Sequence, residues 1–435
     1  MSYGPPSGHY GPPPGQYAPP GGPGGFVQPG GPQPGYGAPP SGYGPPPSHS
    51  GYGAPSGPGF GGPPQPPMHA YPGSGSAPAP YAPGQTSFGG QPYGAPQPPP
   101  PVQNLPLYLG SPVFPPGTPT PHSLPTYNPS PDCDAIYKAC KGFGTDEKAL
   151  INVLARTTGD QAQVLAAAYP GRSGKSLDST LEKELRGDLE FAMRVLALGP
   201  LYGDVHLLHK ACVGAGTNEQ LLNELLIGRH PVEIKLLRDA YRAEHNKSLD
   251  DLVAGELSMK TRDAFAIILQ GRWDDGGFAN PAMVEQDVER LHRALSILGN
   301  TQEIDVCSIV FTRSPVHLQA VINAYRARHH RSLLDTTKTC FHGHMEDALM
   351  HALRGAEDGT GVKRDAQLLE QSMAGAGTKE RALAWRVSRM HWEEPRWRAI
   401  MAEYQAAHRK SLASRIKGET RGDLERVLVA QCEAV

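Results

Sequence analysis

The chain has 435 residues, and all 40 basic and all 42 acidic side chains lie from Asp132 onward, because residues 1–131 contain none. The net charge of −2 gives no blanket attraction to nucleic acid or anionic lipid, so a membrane contact needs another source of positive charge. No stretch approaches ~18 uninterrupted apolar residues, and Met1-Ser2-Tyr3-Gly4-Pro5-Pro6 lacks a basic and apolar run, so neither a spanning helix nor an ordinary secretory signal is expected.

The first 131 residues cycle through Gly, Pro, Tyr, Ser and Gln, as in Gly35-Tyr36-Gly37-Ala38-Pro39-Pro40, and hold 11 of the 17 tyrosines. Such a segment has too little aliphatic surface to offset backbone ordering at about 1 to 2 kcal/mol per residue, which predicts a disordered head. It reads either as a flexible spacer with polyproline II character or as a string of tyrosines for self-association or docking to partner proteins. Six cysteines without paired spacing (Cys133, Cys140, Cys212, Cys307, Cys340, Cys432) suit reduced thiols and a cytoplasmic setting.

From Asp132 a pattern recurs four times: a Tyr, five residues, a basic residue, then Ser-Leu. It starts at Tyr169, Tyr241, Tyr325 and Tyr404, in steps of 72, 84 and 79 residues, which marks a repeat architecture. Within a unit the periodicity is helical. Leu177, Leu181, Leu185 and Leu189 step by four with Asp178, Lys183 and Arg186 opposite, and Gly187 interrupts the row. Helices are expected over about Ser176 to Leu185 and about Asp188 to Leu198. Asp134 to Cys140 should lead into a glycine loop, and Thr145 should cap the helix that follows. The reading is all-α: four units of about five short helices, at 132–200, 201–275, 285–356 and 362–435, behind a head at 1–131.

Seven residues after the Leu of each pattern stand Glu184, Glu256, Cys340 and Glu419. Upstream, three units carry Gly142-Phe143-Gly144-Thr145, Gly214-Ala215-Gly216-Thr217 and Gly375-Ala376-Gly377-Thr378. The unit with Cys340 has Leu298-Gly299-Asn300-Thr301 instead, so glycine loop and acid come and go together. Gly-x-Gly lets the backbone turn several carbonyls toward one point. Three carbonyls and a bidentate carboxylate supply five oxygens, short of the 6 to 8 that Ca²⁺ takes, so water or a lipid phosphate can complete the shell. The metal then bridges a nearly neutral protein and an anionic membrane. The loop-to-acid spacing is 40, 40 and 42 residues.

These motifs, with Lys183-Glu184-Leu185-Arg186-Gly187-Asp188-Leu189-Glu190 and Lys417-Gly418-Glu419-Thr420-Arg421-Gly422-Asp423-Leu424-Glu425, closely resemble those of the annexin family over residues 132–435. The uncharged head is similar to those of long-headed animal and fungal annexins. The resemblance implies a curved all-α disc that binds Ca²⁺ and docks peripherally on acidic phospholipids such as phosphatidylserine; from the residues, with no catalytic motif and a net charge of −2, neither an enzyme nor a nucleic-acid partner is expected. It implies as ligands Cys140, Gly142 and Gly144 with Glu184, Cys212, Gly214 and Gly216 with Glu256, and Met373, Gly375 and Gly377 with Glu419. A weaker secondary site would use Thr145 and Glu147.

The usual Lys before the first glycine is Val213 in the second unit and Ala374 in the fourth, which leaves the carbonyls and removes a basic contact. The third unit should be silent, and the longer spacing puts the geometry of the fourth in question. Asp204 and Arg229 fall where the family has a central hydrophilic channel, and a structural ion pair is expected there. Gly171-Arg172-Ser173-Gly174-Lys175-Ser176 imitates a phosphate loop, but no strand precedes it. His342-Gly343-His344 lacks enough ligands for a transition metal. Trp273 serves packing or interfacial anchoring. Against calcium-dependent membrane binding stands one alternative, a helical-repeat scaffold whose head recruits partners without calcium.

Overall fold

The structure, a computed structural model, describes residues 105–214, 216–296 and 301–434. The expected disorder of the head up to residue 104, and Leu298-Gly299-Asn300, lie outside the described residues. The described part is all-helical apart from one two-stranded hairpin, with 19 helices among the described residues. A short antiparallel pair, β1 (Leu107–Tyr108) and β2 (Ser111–Pro112), precedes them. The first unit holds α1 (Ser130–Ala139), α2 (Glu147–Leu154), α3 (Gly159–Ser173), α4 (Leu177–Glu184) and the start of α5 (Gly187–Cys212). Gly199 breaks α5 with φ 72° and ψ −178°, and Pro200 starts its second half, which opens the second unit. That unit continues with α6 (Glu219–Leu226), α7 (Pro231–His245), α8 (Leu249–Glu256) and α9 (Met259–Leu269). The third holds α10 (Pro281–Leu295), α11 (Glu303–Val310), α12 (Pro315–His329), α13 (Leu333–Cys340) and α14 (Gly343–Ala356). The fourth holds α15 (Val362–Met373), α16 (Glu380–Met390), α17 (Glu394–His408), α18 (Leu412–Glu419) and α19 (Gly422–Glu433).

The recurring Tyr, basic, Ser-Leu pattern is the turn between the third and fourth helices of each unit. The tyrosines are buried at 0 to 2% exposure on α3, α7, α12 and α17. Each of those helices has 15 residues and ends in a left-handed cap at Gly174, Asn246, His330 or Arg409. The serine then caps the next helix. Ser176, Ser248, Ser332 and Ser411 accept from the backbone N–H three residues on, at 3.1, 3.3, 3.3 and 3.2 Å. The buried leucine that follows opens an eight-residue helix, so Glu184, Glu256, Cys340 and Glu419 are each its last residue.

Between units the contacts are both apolar and charged. The two halves of α5 pack between the first two units and lie against α16 and α19 of the fourth, while α14 meets α6. Asp204 on α5 is 1% exposed and accepts from Arg229 Nη2 at 2.8 Å and from Arg389 Nε and Nη2 of the fourth unit at 2.6 and 3.0 Å. The expected Asp204–Arg229 pair is therefore present, inside a larger knot. Glu224 on α6 likewise accepts from Arg386 and Trp385 on α16.

The head does not stay unpacked to residue 131, which corrects the expected boundary. Tyr108 and Val113 are fully buried and Phe114 nearly so, and Leu124 closes a small satellite core with Val164. Tyr108 donates to Asp204 Oδ2 at 2.7 Å, Leu109 N to Glu233 Oε1 at 2.7 Å, Ser111 Oγ to the Trp392 carbonyl at 3.2 Å and Phe114 N to Gln163 Oε1 at 2.9 Å. Burial, then the Asp204 carboxylate, pushes the Tyr108 phenol well above its ordinary pKa, so it remains a neutral donor. Averaged over the whole head the aliphatic surface is too small for packing, but Tyr108, Val113, Phe114 and Leu124 concentrate apolar surface in its last part and are buried there.

A chain starting at residue 129 should therefore melt lower than one starting at 105. Each lost apolar anchor is worth about 1.5–3 kcal/mol, so the fall should reach about 5 °C or more in a thermal melt. Equal melting temperatures would show that the hairpin only lies on the surface.

Candidate metal centres

The three glycine loops share one construction. Each leaves the C-terminus of the first helix of its unit, at Cys140, Cys212 or Met373, and both glycines take positive φ: 116° and 86° at Gly142 and Gly144, 143° and 85° at Gly214 and Gly216, 103° and 87° at Gly375 and Gly377. A Cβ at any of these six would meet nothing within 4 Å, so the backbone conformation, not space, requires glycine. Each loop is closed by a backbone bond to the preceding helix: Asp146 N to Ala139 O (2.9 Å), Asn218 N to Ala211 O (2.8 Å) and Lys379 N to Ser372 O (2.8 Å). Asp146 and Asn218 cap the next helix through their side chains, accepting from Ala149 N and Leu221 N. The cap is thus one residue later than Thr145.

The threonine has another partner. Thr145 Oγ1 donates to Glu184 Oε2 at 3.0 Å, Thr217 Oγ1 to Glu256 Oε2 at 2.9 Å and Thr378 Oγ1 to Glu419 Oε2 at 3.1 Å. In all three units the expected carboxylate is brought to the expected loop and held there. Of the expected secondary site, the Thr145 hydroxyl is turned to Glu184, and Glu147 stands two residues on as the first residue of α2. The longer spacing of the fourth unit does not disturb the arrangement. The second helix of the other units has 8 residues, whereas α16 has 11, so the extra length is absorbed before α17. The third unit differs as expected. There the Cys340 thiol donates to the Leu295 carbonyl at 3.4 Å, at the end of α10.

The loop glycines are exposed, and Phe143 and Val213 project from the first two loops into solvent. Among the described residues no three His, Cys, Asp or Glu side chains converge, so a cation here would rely on main-chain oxygens plus one carboxylate. The cysteines at the helix ends offer carbonyls rather than thiolates. Burial and the Glu184 carboxylate push Cys140 up to about 11, and burial and Glu256 push Cys212 up to about 12.

The remaining sequence features resolve as structural. Gly171 to Ser176 form the end of α3 and its turn to α4. His344 contacts Asn223 at 3.0 Å and Glu219 at 3.4 Å, which ties α14 to α6. Trp273 is half-buried and meets His230 edge to face at 4.8 Å, in the turn before α7, so packing is its role. A central polar cavity of about 210 Å³ lies beside it, lined by Arg229, Glu233, Asp365, Arg389 and Arg396 among others. Sequence reasoning missed Glu224 with Arg386, Asp365 with Arg396, and Asp287 with Arg313, whose partners are 162, 31 and 26 residues apart. It also missed Arg415, which contacts Glu419.

The annexin family model matches the chain four times, over residues 131–196, 203–268, 286–352 and 364–430. Annexin C1 of Cryptococcus neoformans var. grubii serotype A is 46% identical over 329 residues, covering 75% of this chain and 70% of the relative. A point mutant of annexin A8 with an intact N-terminus superposes with TM-score 0.66 at 30% identity, covering 72% of this chain and 97% of that one. Calcium-bound annexin (Sm)1 gives 0.60 at 25% identity, covering 74% and 94%.

The loop conformation makes a simple mutational contrast. Gly144→Ala or Gly216→Ala should each cost about 1–2 kcal/mol in urea unfolding, because Ala must be held left-handed. Gly171→Ala, in helix α3 with open space around it, should be neutral or stabilising. Equal effects at all three would mean the loops relax freely.

Proposed function

The chain belongs to the annexin family, and on that premise we propose that it binds acidic phospholipid membranes in a Ca²⁺-dependent way through its first, second and fourth units. Annexins are not enzymes, and they bind phospholipid with calcium in general. The finer reading for this chain is that Cys140, Gly142 and Gly144 with Glu184, Cys212, Gly214 and Gly216 with Glu256, and Met373, Gly375 and Gly377 with Glu419 hold the metal. The observation that carries it is the repeated threonine bridge, which aims a carboxylate at the loop in these three units.

Calcium would supply the positive charge that a chain of net charge −2 lacks, and its open positions suit water or lipid phosphate oxygens. Phe143 and Val213, exposed on the same loops, suit shallow insertion beside the headgroups. No described helix is long and apolar enough to cross a membrane, so attachment is peripheral. The working units are 132–200, 201–275, 285–356 and 362–435, with the third silent. Residues 1–104 are assigned self-association or partner docking, which would let membrane-bound chains bridge or organise vesicles.

Co-sedimentation with phosphatidylserine vesicles tests this. Pelleting should need Ca²⁺ and reverse with EGTA. Glu184→Gln and Glu256→Gln should each raise the Ca²⁺ for half-maximal binding several-fold, since each removes the charge that faces the metal. Cys340→Glu should add no Ca²⁺ site by calorimetry, because an acid without converging carbonyls is insufficient. Equal pelleting with and without Ca²⁺ would refute the proposal.

A further inference from the structure

The fourth centre carries a side chain that the other two lack. Arg415 stands on α18 four residues after the capping Ser411. The same place holds Thr180 on α4, Leu252 on α8 and Thr336 on α13. Thr180 and Thr336 donate to their own helices, to Ser176 O at 2.9 Å and Ser332 O at 2.8 Å, and Leu252 has no polar group. Arg415 instead reaches toward the loop. Its Nη1 pairs with Glu419 Oε1 at 2.5 Å, and its Nη2 donates to the Met373 carbonyl at 3.0 Å and to Glu370 Oε1 at 3.3 Å. Glu370 is fixed in turn by the Tyr404 hydroxyl.

The guanidinium thus bridges the helix-end carbonyl and the carboxylate, the two ends that a cation in this centre would join. Glu419 Oε2 faces Thr378 as in the other units, but its Oε1 is taken. Among the described residues, Oε1 of Glu184 and of Glu256 accepts no hydrogen bond, so both stay open for bidentate coordination. A guanidinium and a divalent cation repel at this range, so both cannot occupy the centre. The third unit has an uncharged counterpart, the Cys340 thiol on the Leu295 carbonyl.

We propose that Arg415 is a resident counter-cation of the fourth centre, closing it in the metal-free chain and having to swing out before Ca²⁺ enters. The fourth centre then fills after the first and second, and the chain answers calcium in two steps. This rests on the reading that the glycine loops bind Ca²⁺. The pair is partly exposed, at 25% for Arg415 and 23% for Glu419, so the handicap is modest. It should be about fivefold in affinity, the upper end for a pair of this kind.

The test is calorimetric titration of the full-length chain with CaCl₂ and no lipid. In a Glu184→Gln, Glu256→Gln background the remaining binding reports the fourth centre. Arg415→Leu, which copies Leu252, should tighten it about fivefold, and adding Glu419→Gln should abolish it. If Arg415→Leu leaves that affinity unchanged or weaker, Arg415 only holds Glu370 and Glu419 in place and the proposal falls. Should the Leu variant unfold on a thermal melt, Arg415→Gln keeps the stem and hydrogen bonding without the charge, with the same expected direction and the same refuting result. Failure of the premise looks different: the Glu184→Gln, Glu256→Gln chain would then bind Ca²⁺ as the parent does.

Discussion

A carboxylate at 1% exposure is untenable unless every neighbour answers it, and Asp204 sets that demand at the middle of the molecule. It is met by two guanidinium groups, one from its own unit and one from the fourth, and by the phenol of the hairpin. Removing any partner leaves charge behind, so the first described strand, the second unit and the fourth unit are held in one mutual register. Glu224 repeats the device one helix away, with Arg386 and Trp385. Apolar packing would bring these helices together in many ways, whereas the buried ions accept very few.

On that frame the units are nearly interchangeable. Their third helices have 15 residues and their fourth helices 8, with a left-handed cap and a serine between them. Because the lengths are fixed, the last residue of the fourth helix arrives beside the glycine loop in the first, second and fourth units, and beside Leu295 at the end of the first helix in the third. What stands there decides the outcome. Glutamate gives a carboxylate bridged by threonine, cysteine gives a thiol on a carbonyl, and glutamate preceded by Arg415 gives a centre already holding a cation. Variation of one or two side chains on a constant scaffold can therefore separate units that look alike.

The hairpin shows the same economy at the other end of the units. Its contacts fall at the starts of α3 and α7 and just before α17, through Gln163, Glu233 and Trp392, away from the glycine loops. A segment without a charged residue can contribute by burying Tyr108, Val113 and Phe114 and offering hydroxyl and amide donors to acids supplied by the body.

Much of this was legible in the sequence because it is local or repeated. Helix periodicity, the Ser-Leu start of the fourth helices, the glycines that need positive φ, and the matched presence of glycine loop and acid all lie within a unit. Four copies make the spacing speak. The departure of the third unit was legible for the same reason, since its sequence lacks both the second glycine and the acid. What the sequence left undecided depends on contacts between distant segments: the hairpin on the body, Glu224 with Arg386 across 162 residues, and the guanidinium of Arg415 lying between Glu419 and the Met373 carbonyl 42 residues back. A charge in a linear sequence carries no sign of whether water, a metal or another side chain will answer it, and only the tertiary structure makes that choice, because burial sets the cost of leaving it unanswered.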